Sequence, residues 1–192
     1  MNLNNKKIIL ASNSPRRKAF FELFGFPFTI KTYDVEEKYP SNLKGASIAR
    51  YIAGIKSNPF KKNLDKNEIV ITADTIVWHE NKYLGKPKSI DDAKNMLYSL
   101  SGKTHEVITA VGFLSYDNYS CIDVTTEVTF KRLNDTIINN YLEKQNPLDK
   151  AGSYAIQESI GLLGITKIKG SYTNVVGLPI PEVLNEIERL IL

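Results

Sequence analysis

The chain of 192 residues predicts an α/β fold with a mixed, twisted sheet flanked by helices. Three observations lead there. Short β-branched apolar runs, above all Ile8–Leu10 and Glu68–Trp78, have the character of strands buried on both faces. These runs alternate with segments whose apolar residues recur at helical spacing. A hydrophobic content of 42% with 24% charged residues is ordinary for a globular protein, so the chain can fill a core. No repeat, low-complexity tract or linker divides it, and a single domain over residues 1–192 is expected.

The first strand, Lys7–Ser12, runs directly into a helix. Ser14 suits its N-cap, Pro15 its first position and Gly25 the residue that ends it. Phe20, Leu23 and Phe24 form its expected apolar stripe, which turns Arg16 inward and Lys18 outward. Phe28–Tyr33 is extended and leads into Asp34-Val35-Glu36-Glu37. Ile48, Tyr51, Ile52 and Ile55 mark a second amphipathic helix, and residues 57–67 read as a solvated loop. Glu68–Trp78 is a central strand interrupted by Asp74. A turn at Glu80-Asn81-Lys82 and a rigid loop, Gly85-Lys86-Pro87, precede a helix capped by Ser89, with Ala93, Met96, Leu97 and Leu100 inward and Gly102 as its stop. Two strands, His105–Ser115 and Ser120–Leu133, meet at an Asp117-Asn118 hairpin. Asn134 or Asp135 caps a helix through Leu142. Ala151–Gly177 reads as a Gly-rich stretch, and Pro181 opens a last helix that buries Val183, Leu184, Ile187 and Ile191.

Lys plus Arg number 25 against 21 Asp plus Glu, a net charge of +4. That balance suits anionic ligands without choosing between a nucleotide and a nucleic acid. The basic residues are scattered and no aromatic-rich binding motif accompanies them, so no nucleic-acid partner is expected. A lone Cys121, placed on a strand, leaves no internal disulfide, and no Cys/His cluster offers a zinc site. No apolar run approaches the ~18 residues of a membrane span, and Ile8–Ser12 is too brief for a signal-peptide core. A cytoplasmic, soluble protein without a membrane partner is expected.

The first strand-to-helix junction is where chemistry is most visible. A helix N-terminus presents unpaired N–H groups and partial positive charge, which attract anions. Arg16 and Arg17 stand in that first turn, where cations are disfavoured by roughly 0.3–1 kcal/mol each. A bound anion explains them; an ordinary capped helix with two surface arginines is the other reading. Ser12 and Ser14 add hydroxyls suited to phosphate oxygens, although the glycines and Gly-Lys-Ser/Thr ending of a Walker loop are missing. Asp74 sits amid Ile69, Val70, Ile71, Ile76, Val77 and Trp78, so its carboxylate needs a cation, a metal or several donors unless it is a turn residue at a strand end. Glu36 and Glu37 could join Asp74 in holding a hard divalent ion, or form a solvated acidic face. Lys56, flanking the stripe of its helix, and Lys86, between Gly85 and Pro87, could both be aimed at phosphates. His79-Glu80 lacks the second histidine of a metalloprotease helix, and His105 reads as a satisfied edge residue opening a strand.

Seven segments in register resemble the Maf family of nucleoside triphosphate pyrophosphatases. They are residues 10–17 (Leu-Ala-Ser-Asn-Ser-Pro-Arg-Arg), Ala73-Asp74-Thr75, Gly85-Lys86-Pro87, Leu100–His105, Asp149–Gln157, Gly170-Ser171-Tyr172 and Val175–Pro179, and they span almost the whole chain. The resemblance implies a Maf/ITPase-like fold of two lobes with a deep central cleft. It also implies divalent-metal-assisted (Mg²⁺ or Mn²⁺) hydrolysis of a nucleotide to its monophosphate and pyrophosphate. It assigns Asp74 and Lys86 to catalysis, and Ser12, Ser14, Arg16, Arg17, Lys56, Thr75 and Gln157 to the substrate. Glu36 or Glu37 joins Asp74 at the metal. Ala-Asp-Thr and the segment ending in Gln157 resemble the branch acting on dTTP and UTP. The other readings are a pyrophosphatase for 7-methyl-GTP or another modified nucleotide, and a nucleotide-binding module without turnover. Ser153 and Ala155 stand where alanine and glycine are usual in the family. Through the family, a homodimer is allowed for.

Overall fold

The computed structural model describes residues 2–192. Among them seven strands form one mixed sheet: β1 (Lys7–Leu10), β2 (Phe28–Ile30), β3 (Glu68–His79), β4 (Lys82–Leu84), β5 (Thr104–Leu114), β6 (Tyr119–Phe130) and β7 (Ile165–Lys169). Their order is β2-β1-β3-β5-β6-β7, with β4 paired to β3. β1 runs parallel to both β2 and β3, whereas β4 is antiparallel to β3 and β7 to β6. The helices are α1 (Pro15–Leu23), α2 (Ala46–Ser57), α3 (Ile90–Leu100), α4 (Asp135–Lys144), α5 (Ser159–Gly164), α6 (Tyr172–Val176) and α7 (Ile180–Ile191). The expected mixed sheet with flanking helices is the observed architecture. Among the described residues no helix is long and apolar enough to cross a membrane.

The chain divides into two compact units. The first holds residues up to Asp74, Thr109–Val124 and Gly177–Leu192; the second holds Thr75–Ile108 and Thr125–Val176. Each has its own apolar core. In the first, Leu10, Phe21, Ile69, Ile71, Phe113 and Val183 lie in one cluster. In the second, Val77, Leu97, Leu100, Phe130, Ile138 and Tyr141 do.

Local signals set the helix ends as expected. Ser14 accepts the Arg17 N–H at the start of α1, Ser89 accepts that of Asp92 at α3, and Asn134 that of Ile137 at α4. Gly25 and Gly102 follow α1 and α3 at φ +72 and +71, the left-handed conformation that costs glycine least.

Side-chain faces are where expectation and structure part. In α1 Phe21 is fully buried, Phe20 and Phe24 of the expected stripe pack part-buried against the same core, and Leu23 is 78% exposed. Phe21 lies in a ring cluster with Phe24, Phe26 and Phe28, at centroid distances of 5.1, 6.3 and 5.4 Å. These aromatic partners centre the buried face of the helix on Phe21. Since positions four apart share a face, Arg17 shares the side of buried Phe21 and Arg16 that of part-buried Phe20. In α2 the buried set is Ile48, Ala49, Ile52 and Ala53, while Tyr51 is exposed. Residues 57–67 are not simply solvated, because Phe60 and Leu64 are buried against Ile9 and Val70. β3 continues without a break through Asp74. The Gly-rich stretch contains α5, β7 and α6, and β4 was not foreseen.

Candidate active site

Parallel pairing brings the first loop beside the middle of β3. Leu10 is in register with Ile71, and the Ala11 N–H donates to the Ile71 carbonyl at 2.8 Å. Two residues further on stand Ser12, in the loop after β1, and Ala73, in β3, followed by Asn13 and Asp74. The carboxyl end of β2, in register with Leu10 at Ile30, leads into the loop that carries Glu36 and Glu37. Ligands of open α/β sheets gather at such carboxyl ends.

Ser12 is buried, and its Oγ accepts the Ser14 N–H at 3.2 Å and Arg17 Nη1 at 3.3 Å. A hydroxyl with its lone pairs so used keeps its proton to donate. Arg17 also donates from Nε to the Gly177 carbonyl at 2.9 Å and from Nη1 to the Ala73 carbonyl at 3.0 Å. Burial lowers its pKa to about 10, with the Asp74 charge opposing and Arg16 assisting, so it stays a cation at neutral pH. The guanidinium thus ties the loop to β3 and to the segment before α7. Arg16 lies half-buried on the flank of the same turn.

Asp74 is 8% exposed. Burial raises its pKa above the ordinary carboxylate value, while Lys56 and then Arg17 pull it down and Glu37 pushes it up. Lys56 comes from the last turn of α2, where the helix dipole favours a cation. Its Nζ lies 2.8 Å from Asp74 Oδ1 and 2.9 Å from Glu37 Oε1. Of the two expected acidic partners, then, it is Glu37 that reaches this cluster. Glu36 pairs with Lys38 at 2.5 Å and is largely exposed.

Ser12, Ser14, Arg16, Arg17, Glu36, Glu37, Lys56 and Asp74 all belong to the first unit, and Thr75, Lys86 and Gln157 to the second. Thr75 is half-buried, and Lys86 and Gln157 are exposed. Within the second unit the Gly152 N–H donates to the Gly85 carbonyl at 3.0 Å, which joins the loop of Lys86 to the segment leading to Gln157. That segment has a support that the sequence reading missed. Lys150, 6% exposed, binds Asp149 at 2.8 Å, Glu158 at 3.0 Å and the Asn146 carbonyl at 2.6 Å. Tyr141 donates to the same Glu158 at 2.8 Å. The signal was present as a lysine and two carboxylates bracketing the run Ala151–Gln157, but its closure depends on the fold.

A hard divalent ion fits the first-unit cluster. Among the described residues no three His, Cys, Asp or Glu side chains gather as a metal cage. Glu37 and Asp74 nevertheless converge on one cationic centre, the Lys56 ammonium. Two carboxylates, with phosphate and water as further ligands, are what Mg²⁺ commonly uses.

A family model described as Maf-like protein matches residues 7–190. The chain belongs to the Maf family. Its Maf relatives include a dTTP/UTP pyrophosphatase of Flavobacterium johnsoniae, 49% identical over 98% of this chain and 97% of the relative. One of Flavobacterium psychrophilum is 50% identical over 93% and 92%. One of Phocaeicola vulgatus is 46% identical over 98% of each chain.

Proposed function

We propose that this Maf protein is a cytoplasmic nucleoside triphosphate pyrophosphatase acting on dTTP and UTP. The observation that carries the reading is the cluster of Asp74, Glu37 and Lys56 in the same unit as a helix N-terminus fixed by Arg17. Near-full-length identity to relatives named for this activity supports it.

Asp74 orients the attacking water and accepts its proton. The water oxygen forms a bond to the α-phosphorus, the bond from that phosphorus to the bridging oxygen breaks, and pyrophosphate leaves with the electron pair. Glu37 and Asp74 would hold Mg²⁺ or Mn²⁺, which when bound would supply positive charge to the phosphate oxygens. Arg16, Lys86 and the Ser12 and Ser14 hydroxyls meet the phosphates, where most catalysis of phosphoryl transfer resides. Thr75 and Gln157 meet the pyrimidine, since polar partners reject a mismatched base more strongly than apolar walls.

Incubation with each nucleoside triphosphate and Mg²⁺, with separate detection of pyrophosphate and orthophosphate, tests the reading. Pyrophosphate from dTTP and UTP is expected, and Asp74→Asn is expected to lose roughly 10²- to 10⁴-fold in rate. Orthophosphate release, faster turnover of 7-methyl-GTP, or full activity in Asp74→Asn overturns it.

A further inference from the structure

Two cations serve the first-unit site in different ways. Arg17 is pinned by bonds to Gly177, Ala73 and Ser12. Lys56 has no such frame: its two ion pairs, to Glu37 and Asp74, are both with carboxylates that suit a metal. Its side chain is 20% exposed, and an ammonium on a four-carbon stem can move by rotating that stem alone. The end of α2 beneath it is fixed, with Ser57 Oγ donating to the Gly54 carbonyl at 2.7 Å.

We infer that Lys56 is a placeholder for the divalent ion. In the metal-free protein its ammonium neutralises Glu37 and Asp74; when the ion arrives, Lys56 leaves that pair and its charge passes to a phosphate oxygen of the substrate. The inference rests on the reading of Glu37 and Asp74 as metal-binding. Two carboxylates held together, one of them buried, need a cation whether or not metal is present. Charge counting sets the direction. Glu37 and Asp74 with Lys56 and Arg17 sum to 0, and with a divalent ion in place of Lys56 to +1. Retaining the lysine beside the ion gives +2, which suits an incoming polyphosphate and not a further cation between the same oxygens. One lysine thereby stabilises the empty site and grips phosphate in the loaded one, which reconciles its pairing here with the role the sequence suggests.

The test measures cation binding without turnover. Mn²⁺ affinity is determined by electron paramagnetic resonance on wild type, Lys56→Met and Asp74→Asn, with no nucleotide present. Removing a competing cation is expected to tighten Mn²⁺ in Lys56→Met about tenfold, within the usual range of coupling between two ligands. The same variant is expected to bind Mg²⁺-pyrophosphate more weakly. Equal or weaker Mn²⁺ binding in folded Lys56→Met overturns the placeholder role. Wild type offers a readout independent of any variant: acetylation of Lys56, followed by mass spectrometry, should rise with Mg²⁺ and fall again with Mg²⁺ and pyrophosphate. Unchanged labelling overturns the inference. Asp74→Asn separates the two failures. If it loses Mn²⁺ while Lys56→Met gains nothing, only the placeholder role falls; if it binds Mn²⁺ like wild type, the metal assignment falls and the placeholder with it.

Discussion

Lys56 Nζ lies 2.8 Å from Asp74 Oδ1, so the last turn of α2 and the middle of β3 form one electrostatic unit. Burial still outweighs that pairing in Asp74, whose pKa is raised above its unfolded value. For a carboxyl group that direction means a loss of stability as pH rises through the interval between the unfolded and folded values, with the ionised group disfavoured above it. Asp74→Asn removes the disfavoured charge and leaves Lys56 with Glu37. The variant is therefore expected to keep or raise the melting temperature at neutral pH while activity collapses. Thermal denaturation beside a pyrophosphate assay checks this trade of stability for function. A marked fall in melting temperature contradicts it.

Arg17 gives the opposite expectation. Its bonds to Gly177, Ala73 and Ser12 use the planar fork of a guanidinium, which a lysine ammonium cannot reproduce. Arg17→Lys keeps the charge but strands part-buried acceptors, at a cost of about 1–3 kcal/mol each. Urea denaturation should show a lowered midpoint, and activity should fall because the loop of Ser12 loses its tie to β3. Unchanged stability would assign Arg17 to the substrate alone.

Which parts of the site could be read beforehand follows from what decides each one. Ser14, Pro15 and Gly25 act through their own backbone neighbours, so the bounds of α1 were legible. The facing of α1 was not. Phe26 and Phe28 lie beyond the helix, and their rings place Phe21 inward. That centring puts Arg17 on the face of the buried ring and leaves Arg16 half-buried beside it. Asp74 stood out as an acid in a β-branched run, which is a local contrast. Glu36 and Glu37 lie on a loop without periodicity, and only the approach of Lys56 from α2 tells them apart. In the stretch from Ala151 glycine content alone left α5, β7 and α6 unread. A Cβ on Gly161 would lie 2.3 Å from the Ile156 carbonyl oxygen, and one on Gly164 2.8 Å from Leu133. Those glycines permit close packing of α5.

His105 carries a pH signature. Its Nε2 is 2.7 Å from the Tyr154 hydroxyl, its ring stacks on Phe130, and burial, with a smaller contribution from His79, lowers its pKa from 6.5 to about 3. The unfolded chain then takes up a proton on acidification that the folded one refuses. Stability is full above pH ~6.5 and declines by up to about 1.4 kcal/mol per pH unit between there and pH ~3. His105→Phe keeps an aromatic ring beside Phe130 and removes the titration. Urea midpoints measured from pH 7.5 to 4.5 should fall less steeply in the variant; parallel curves would show that His105 does not govern the decline.

The Lys150 cluster ties stability of the second unit to the segment of Gln157. Lys150 joins Asp149 to Glu158 across an eight-residue interval, Tyr141 completes Glu158, and Gln157 is the next residue back along the chain. Removing one member of a buried ion pair costs about 3–5 kcal/mol, because the other charge stays buried. Lys150→Met should therefore destabilise strongly, while Lys150→Met with Glu158→Leu should lose less than the two single changes combined. If this clamp sets the position of Gln157, the kinetics divide as well. At a temperature where Lys150→Met is fully folded, KM for dTTP and UTP should rise roughly tenfold, as misplacement of a substrate-positioning group predicts, with a smaller change in kcat. A stable variant with unaltered KM would confine Lys150 to folding, whereas a raised KM that Lys150→Arg restores would make it a positioning residue.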